Sequence, residues 1–108
     1  MIIRVFRAIV HDGKQDEFAA FFRDTAIPLL ESQPGMLGVT VGWPMAYSPN
    51  EFMMTTTWSD LESLKGFTGE NWAHAVIDPA EAHLLRETFV YHYEGASLDA
   101  ALKQKDQP

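Results

Sequence analysis

Residues 2–10 of the chain are Ile2-Ile3-Arg4-Val5-Phe6-Arg7-Ala8-Ile9-Val10. Apart from Arg4, Arg7 and Ala8, every side chain in this segment is β-branched or aromatic, which favours extended backbone. An apolar run without polar alternation predicts a strand that is buried on both faces. Such a strand must lie inside a sheet and find cover on both sides. Successive side chains alternate between the faces, so Arg4 and Phe6 share one face and Arg7 lies on the other.

A helix pattern follows this first strand. His11-Asp12-Gly13 predicts a turn, and Asp12 followed by Gln15 resembles a capping box at a helix start. Pro28 lacks a backbone N–H, so we expect a kink or an early end of the helix there. Before that point, apolar and small side chains recur at helical spacing on one face; they are Phe18, Phe21, Phe22, Thr25, Ala26 and Leu29.

A hairpin and a second helix come next. Residues 51–58 are predicted to form the third strand and to pair back with the second strand across a long loop. Ser59-Asp60-Leu61-Glu62 resembles a capping box that opens a helix, and Gly69 is expected to end it. The second strand alternates apolar residues with small or polar ones, and its predicted apolar face carries Leu37, Val39, Val41 and Trp43.

The last third of the chain is predicted to contain one more strand. A short helical segment is expected over residues 72–77, and Asp78-Pro79 begins a further helical turn because Pro favours the first helical position. Residues 88–94 are predicted to be the fourth strand. The chain then becomes polar, so we expect a folded domain over residues 1–95 and a frayed polar tail over residues 96–108.

The resulting order is strand, helix, strand, strand, helix, strand. This is the split βαβ, ferredoxin-like arrangement, an α+β fold in which helices cover one face of a four-stranded antiparallel sheet. The uncovered face would keep the apolar side chains of the first strand and those of Leu37, Val39, Val41 and Trp43. An exposed apolar face on the order of several hundred Å² is rare on a monomer. We therefore predict a homodimer in which two sheets meet face to face and close a dimeric α/β barrel.

The composition excludes several classes of function. The 108 residues suffice for one domain, and the net charge is −7 with only eight Lys and Arg, scattered along the chain. Nucleic acid and anionic membranes need clustered cations, so neither is a predicted partner. No apolar run approaches the roughly 20 residues of a spanning helix, and the first residues do not resemble a signal peptide. The absence of Cys excludes disulfides and thiolate chemistry and favours a cytoplasmic protein.

Several motifs resemble the antibiotic biosynthesis monooxygenase family, whose members are dimeric α/β barrels. The resemblance runs from Ile2 to Gly95, and it implies for this chain the activity of some members, cofactor-free oxygenation of phenols, quinols or polyketide-type rings. Other members degrade heme, and many have no assigned role. The motifs are Arg4-Val5-Phe6-Arg7, Trp58-Ser59-Asp60-Leu61-Glu62-Ser63-Leu64, Phe67, Gly69-Glu70-Asn71-Trp72, Ala75-Val76-Ile77-Asp78-Pro79 and His92-Tyr93-Glu94.

An oxygenase without a cofactor needs an apolar pocket for the ring, a base for the phenolic proton, and exclusion of water. His92 and His74 are the candidate catalytic residues, because an unperturbed His titrates near neutral pH. Arg4 is a candidate polar contact to the substrate. The resemblance implies a pocket role for Trp58, since the third-strand Trp lines the pocket in some members; Met54 stands where their Asn precedes it. We expect the sheet face under the helices to supply the walls, namely Phe6, Met54, Trp58, Phe67 and Trp72.

Other interpretations of the same residues stay open. Trp58 and Phe67 can be core residues and His92 can hold a structural hydrogen bond, which favours a non-catalytic ligand-binding or stress-related dimer. Pocket walls and core are built from the same residue types, so the pattern does not separate these hypotheses. For Arg4 or Arg7, an ion pair with Glu94 on a neighbouring strand is the expected structural role.

Heme and metal sites find less support. The positions that match the heme-degrading branch hold Phe6, Phe67 and Ile77, which are all apolar, so heme binding would depend on His74 or His92. Glu81 and His83 are two residues apart and diverge on a helix, and no spacing suggests a third ligand. No resident metal or cofactor is predicted.

Overall fold

The computed structural model describes residues 1–96 and contains a four-stranded antiparallel sheet with the strand order β2-β3-β1-β4. The strands are β1 (Ile2–Val10), β2 (Met36–Gly42), β3 (Glu51–Trp58) and β4 (Leu85–Glu94). β1 lies inside the sheet, with Phe6 opposite Met54 of β3 and Val90 of β4. The predicted ferredoxin-like α+β fold is confirmed, and β4 begins three residues before its predicted start. The predicted tail lies outside the described residues from position 97 onward.

The helices lie on one face of this sheet. They are α1 (Gln15–Phe21), a π-helical turn (Phe22–Ala26), α2 (Ile27–Glu31), α3 (Leu61–Thr68) and α4 (Pro79–Ala82). Every second side chain of β1 from Arg4 to Val10 is buried beneath them, which follows from the two-residue period of a strand. None of the helices within residues 1–96 is long and apolar enough to cross a membrane.

Two clusters of buried side chains hold the helices on the sheet. In the first, Phe18 and Phe22 pack against Phe52, with ring centroids 4.8 and 6.0 Å from the Phe52 ring. In the second, Leu30 and Leu64 pack around Trp58. Residues of α1, the π turn and α2 thus contribute to both clusters, which fixes this helical stretch along the sheet.

Of the kink or early end expected at Pro28, the early end does not occur, but a π turn interrupts the regular hydrogen bonding just before it. The backbone N–H of Ile27 donates to the carbonyl oxygen of Phe22, five residues back, and the helix then continues to Glu31. A Pro ring in a regular helix crowds the carbonyl group four residues earlier, and Pro28 has no N–H to bond it. The wider π turn accommodates both features, and such turns occur frequently at functional sites.

The predicted capping box at the start of α1 is also wrong. Lys14 is the N-cap residue, and no side chain caps the helix. Asp12 and Gln15 instead both bind Asn50: the Gln15 side-chain amide donates to Asn50 Oδ1 over 2.6 Å, and Asn50 Nδ2 donates to Asp12. These contacts attach the start of α1 to the end of the loop between β2 and β3.

A β-bulge changes which side chains of β2 face the helices. Met36 pairs with Trp58 and Gly38 with Thr57, so Leu37 is an extra residue and is 61% exposed. Val39 and Val41 pack into the clusters under the helices. The expectation that Leu37, Val39, Val41 and Trp43 share the uncovered face is therefore wrong: Val39, Val41 and Trp43 lie on the helix side, and the bulge takes Leu37 out of their alternation.

Gly69 and Asp78-Pro79 mark helix ends as expected, whereas the cap of α3 lies one residue beyond the predicted Ser59 and Glu62 pair, and the short helix predicted over residues 72–77 does not form. Asp60 caps α3 by accepting the backbone N–H of Ser63 over 2.8 Å, and Gly69 ends that helix with a φ of 80°. Asp78 caps α4 through the N–H of Ala80 over 2.8 Å. Residues 70–78 form turns and irregular backbone instead. We call this stretch the 70–78 loop.

The face of the sheet away from the helices is not covered by any helix within residues 1–96. Arg7 lies there and forms an ion pair with Glu51, with both N–O distances 2.9 Å, and its guanidinium lies 4.8 Å from the centre of the Phe89 ring. Glu51 thus takes the role expected of Glu94. The strand registers place seven apolar or aromatic side chains on this open sheet face: Ile3, Val5, Ile9, Met53, Phe89, Tyr91 and Tyr93.

Candidate active site

A cavity of about 180 Å³ lies between the helices and the sheet. Phe6 of β1 and Met54 of β3 form its floor, and Phe67 of α3 closes one side. The 70–78 loop supplies Val76 and Ile77. The remaining apolar and small side chains come from α1, the π turn and α2: Phe21, Phe22, Thr25, Ala26, Leu29 and Leu30. Such an apolar pocket with few polar groups is typical of a site for a small organic ligand.

Arg4 is the positively charged residue of the cavity wall. Its side chain is buried in the first strand, and Nη1 donates to the Trp72 carbonyl oxygen while Nη2 donates to the His74 carbonyl oxygen over 2.9 Å. Burial lowers the pKa of Arg4 to about 10, so the guanidinium stays charged at neutral pH. Arg4 therefore ties the 70–78 loop to the sheet and places a cation at the edge of an apolar space.

His92 contacts this cation. Its Nε2 lies 2.9 Å from Arg4 Nη1, and because a guanidinium can only donate, Nε2 must accept and Nδ1 must carry the proton. Burial, and then the positive charge of Arg4, lower the pKa of His92 below its usual value. The Trp72 ring meets the imidazole edge-on, with centroids 4.9 Å apart. His92 is thus a neutral imidazole, and the lone pair on its Nε2 accepts the hydrogen bond from Arg4.

The predicted site residues divide into two groups. Arg4, Phe6, Met54 and Phe67 line the cavity, whereas Trp58, Trp72, His74 and His92 do not. Trp58 lies behind Phe67, fully buried and stacked on it with ring centroids 5.6 Å apart, and its indole N–H donates to Thr56 Oγ1 over 2.9 Å. His74 is exposed and contributes its carbonyl oxygen to Arg4.

Glu81 is a cavity residue that the sequence analysis missed. It lies on α4, is only 5% exposed, and lines the cavity together with Asp78. Burial, and then the negative charge of Asp78, raise the pKa of Glu81 to about 7. No helical spacing signals its burial, because α4 ends at Ala82 and the buried Leu84 lies in the turn beyond it.

Replacing Arg4 with lysine tests how far this side chain holds the loop. Lysine keeps the charge but cannot span both carbonyl groups and His92 in the forked geometry. We expect the free energy of unfolding to fall by about 3 kcal/mol or more, since hydrogen bonds from charged groups contribute about 1.5–3 kcal/mol each and lysine retains one of the three. Hydrogen exchange of the amides in the 70–78 loop should accelerate in the Arg4→Lys protein and stay unchanged in Arg23→Lys, an exposed control; equal exchange in both would contradict this role.

The cavity does not suit a heme. The positions that match the heme-degrading branch all line the cavity. They hold Phe6, Phe67 and Ile77, whose apolar side chains offer no ligand or hydrogen bond to a heme. Within the described part of the chain no His or Tyr lines the cavity, so no such axial ligand is available there. Residues 1–96 also contain no group of three His, Asp or Glu side chains placed to hold a metal ion.

Comparison with solved structures shows the same fold in several proteins. A proposed antibiotic biosynthesis monooxygenase from Deinococcus radiodurans superposes with a TM-score of 0.72 at 17% identity, over 90% of this chain and 94% of that one. A variant of SnoaB, a cofactor-independent oxygenase from Streptomyces nogalater, gives 0.67 at 20% identity, over 90% and 95%. A variant of MhuD, with two manganese protoporphyrin IX molecules bound per active site, gives 0.65 at 17% identity, over 90% and 96%. At these identities the likeness shows the fold alone.

The family is shown by the sequence itself. No curated protein sequence matches the chain significantly. The sequence model of antibiotic biosynthesis monooxygenases, however, matches residues 1–78, which include β1 to β3, α3 and most of the cavity wall. The chain belongs to the antibiotic biosynthesis monooxygenase family.

Proposed function

We propose that this protein is a cofactor-independent monooxygenase that acts on a small phenol, quinol or related polyketide-type ring. The observation that supports this proposal most directly is the apolar cavity of about 180 Å³ with Arg4 in its wall, in a chain that belongs to this family. An engineered apolar cavity of about 150 Å³ binds benzene. The volume here therefore suits one substituted ring.

The proposed reaction balances without an external reductant. A phenol with a free ring position and one O₂ give a quinone and one water, and the ring supplies all four electrons. Removal of the hydroxyl proton makes the ring electron-rich enough to pass an electron to oxygen. The cation of Arg4 favours the phenolate, and the apolar walls exclude the water that would screen this charge. SnoaB, described as a cofactor-independent oxygenase, supports the reaction class through its shared fold.

A second candidate is a non-catalytic protein that binds a small apolar ligand. The position of His92 favours it, because the imidazole lies outside the cavity wall and its lone pair is bound to Arg4. Such a protein would use the same walls, so the two candidates differ in turnover and not in binding.

Oxygen consumption with a panel of phenols, quinols and anthrone-like rings tests the proposed function. We expect uptake of one O₂ per quinone formed, and the rate should stay unchanged after chelation and should not rise with added flavin or hemin. Binding of the panel compounds without oxygen uptake would refute the monooxygenase and leave the ligand-binding protein. A Soret band on titration with hemin would contradict the account of the cavity given above.

We infer that a second copy of the chain covers the open sheet face. Seven apolar or aromatic side chains lie there, and Tyr91 and Tyr93 are 43% and 55% exposed in the single chain. Packing two such faces removes this surface from water and closes the barrel. A domain over residues 1–95 and a cytoplasmic location stay predictions.

Val5 tests the homodimer because it lies at the centre of the open face, between Thr55 and Tyr91. Val5→Lys should yield a monomer in sedimentation velocity at micromolar concentration, since an unpaired buried charge opposes association. Ser32→Lys, on the exposed end of α2, should leave the dimer intact. A native protein that sediments as a monomer would refute the dimer.

A further inference from the structure

We propose that the carboxylate of Glu81 is the group in this cavity that accepts the hydroxyl proton of the ring substrate, which makes the site selective for rings with an ionisable hydroxyl group. This inference rests on the proposed function, and it names the proton acceptor that the monooxygenase requires. The predicted acceptors were His92 and His74, and the structure places neither ring on the cavity wall.

The local structure aims Glu81 at the cavity. Asp78 caps α4 and Pro79 starts it, so the first turn is fixed at both its cap and its first residue. Leu84, in the turn that follows α4, donates its backbone N–H to the Glu81 carbonyl oxygen over 2.9 Å and is buried in the core beside Phe18 and Phe22. The short helix is thus anchored at both ends, and Glu81 between these anchors lines the cavity.

No ion pair accounts for the burial of this carboxyl group. Within residues 1–96 no cation lies within salt-bridge distance of Glu81, and no hydrogen bond contributes to its titration. Burying a carboxylate without a partner is costly. A structural role would therefore be better served by Leu or Gln, whereas the Glu81 oxygens are not sealed from solvent and can accept a hydrogen bond from a bound hydroxyl group.

The cavity thus carries an acceptor and a cation that do not neutralise each other. Arg4 keeps N–H groups beyond those that bind the loop and His92, because a guanidinium has five. A ring held beside Glu81 can pass its hydroxyl proton to the carboxylate, which becomes a neutral carboxylic acid while the ring becomes a phenolate. The negative charge then moves from Glu81 to the substrate. Arg4, the positively charged residue of the cavity wall, stabilises the phenolate.

The charged groups around Glu81 permit this proton transfer near neutral pH. Asp78 lies in the same segment and raises the pKa of Glu81, while Arg4 faces the cavity from β1. The walls from the helical stretch, β3 and α3 contribute no titratable side chain to the cavity. With a pKa of about 7, Glu81 is ionised above neutral pH and is a stronger base than an exposed carboxylate.

Glu81→Gln tests the proposal by two independent measurements on the full chain. In turnover, kcat/KM for a phenolic substrate should rise with pH through about 7 in the native protein, and the variant should lose about 100-fold or more at pH 8 together with this limb. In calorimetric binding at pH 8, the native protein should prefer phenol to anisole about tenfold, because anisole has no proton to donate to the ionised group. The variant should lose that preference. Glu62→Gln, at an exposed carboxyl group of α3, should behave as the native protein in both measurements.

The two measurements separate the failure of this inference from the failure of the proposed function. Turnover of phenols that is equal in the native and Glu81→Gln proteins, with the pH limb retained, would overturn the role of Glu81 and leave the monooxygenase standing. If no ring is oxidised, the proposed function fails, and the phenol preference alone decides whether Glu81 binds the hydroxyl group. An equal affinity for phenol and anisole in the native protein would overturn the inference in either case.

Discussion

Trp58→Ala should lower the free energy of unfolding by about 3–5 kcal/mol, the usual cost of truncating a buried Trp. The side chain is fully buried between Leu30 and Leu64 and is stacked on Phe67. Its removal leaves a void that close-packed neighbours fill only in part, and it deprives the buried Thr56 hydroxyl of its indole partner. Because Phe67 separates Trp58 from the cavity, the loss should exceed that for a residue on an open wall.

Urea denaturation, fitted with a common slope, measures this difference. Trp43→Ala is the matched control, since Trp43 is 47% exposed and meets Phe22 and Phe52 only by ring edges. Its loss should be less than half that of Trp58→Ala. A cost below about 1 kcal/mol for Trp58→Ala would show that Trp58 is not a core residue. All samples need the same protein concentration, because a dimer gains apparent stability with concentration.

Glu81→Gln should stabilise the protein at pH 8 by about 3 kcal/mol, the free energy that corresponds to raising the pKa of a carboxyl group from 4.5 to about 7 on folding. The folded state holds the Glu81 proton more tightly than the unfolded chain does. The native protein therefore loses stability as the pH rises from the unfolded pKa to the folded pKa, and loses no more above it. Glutamine cannot ionise, so the variant escapes this loss.

The measurement is the difference in unfolding free energy between variant and native protein across the pH range. This difference should grow between pH 4.5 and about 7 and then stay constant. Glu62→Gln controls for the loss of one negative charge from an acidic chain and should show no such growth. A difference for Glu81→Gln that does not change with pH would mean that Glu81 is not held in an environment that opposes its charge.

The fold was predictable because its main signals are local and repeated. The run from Ile2 to Val10, the caps at Asp60 and Asp78 and the stop at Gly69 all act through the period of a strand or the ends of a helix. The errors in the predicted fold arise where one extra residue interrupts the regular pairing of a strand or the regular bonding of a helix. Leu37 forms a bulge that takes it out of the alternation of β2, and nothing in its own chemistry announces an unpaired position.

The candidate site was predictable in part. Arg4, Phe6, Met54 and Phe67 were found because they belong to regular elements whose inner face the pattern gives. The histidines were chosen for their usual titration range, but the position of a side chain relative to a cavity depends on the packing of distant segments. Glu81 was not predictable from its residue type, because its burial is what raises its pKa to about 7.

The π turn at Phe22–Ala26 makes the loss of one residue easier to tolerate there than in the regular helix on either side. Each residue of an α-helix advances the next by about 100°, so a deletion in regular helix turns everything that follows to another side. The π turn instead holds one residue more than an α turn, because its hydrogen bonds reach five residues back and not four. Removing that residue and restoring regular bonding should therefore keep Leu29 and Leu30 directed at the cavity and at Trp58, and the cost should fall on Pro28, whose ring would then crowd the carbonyl group four residues earlier.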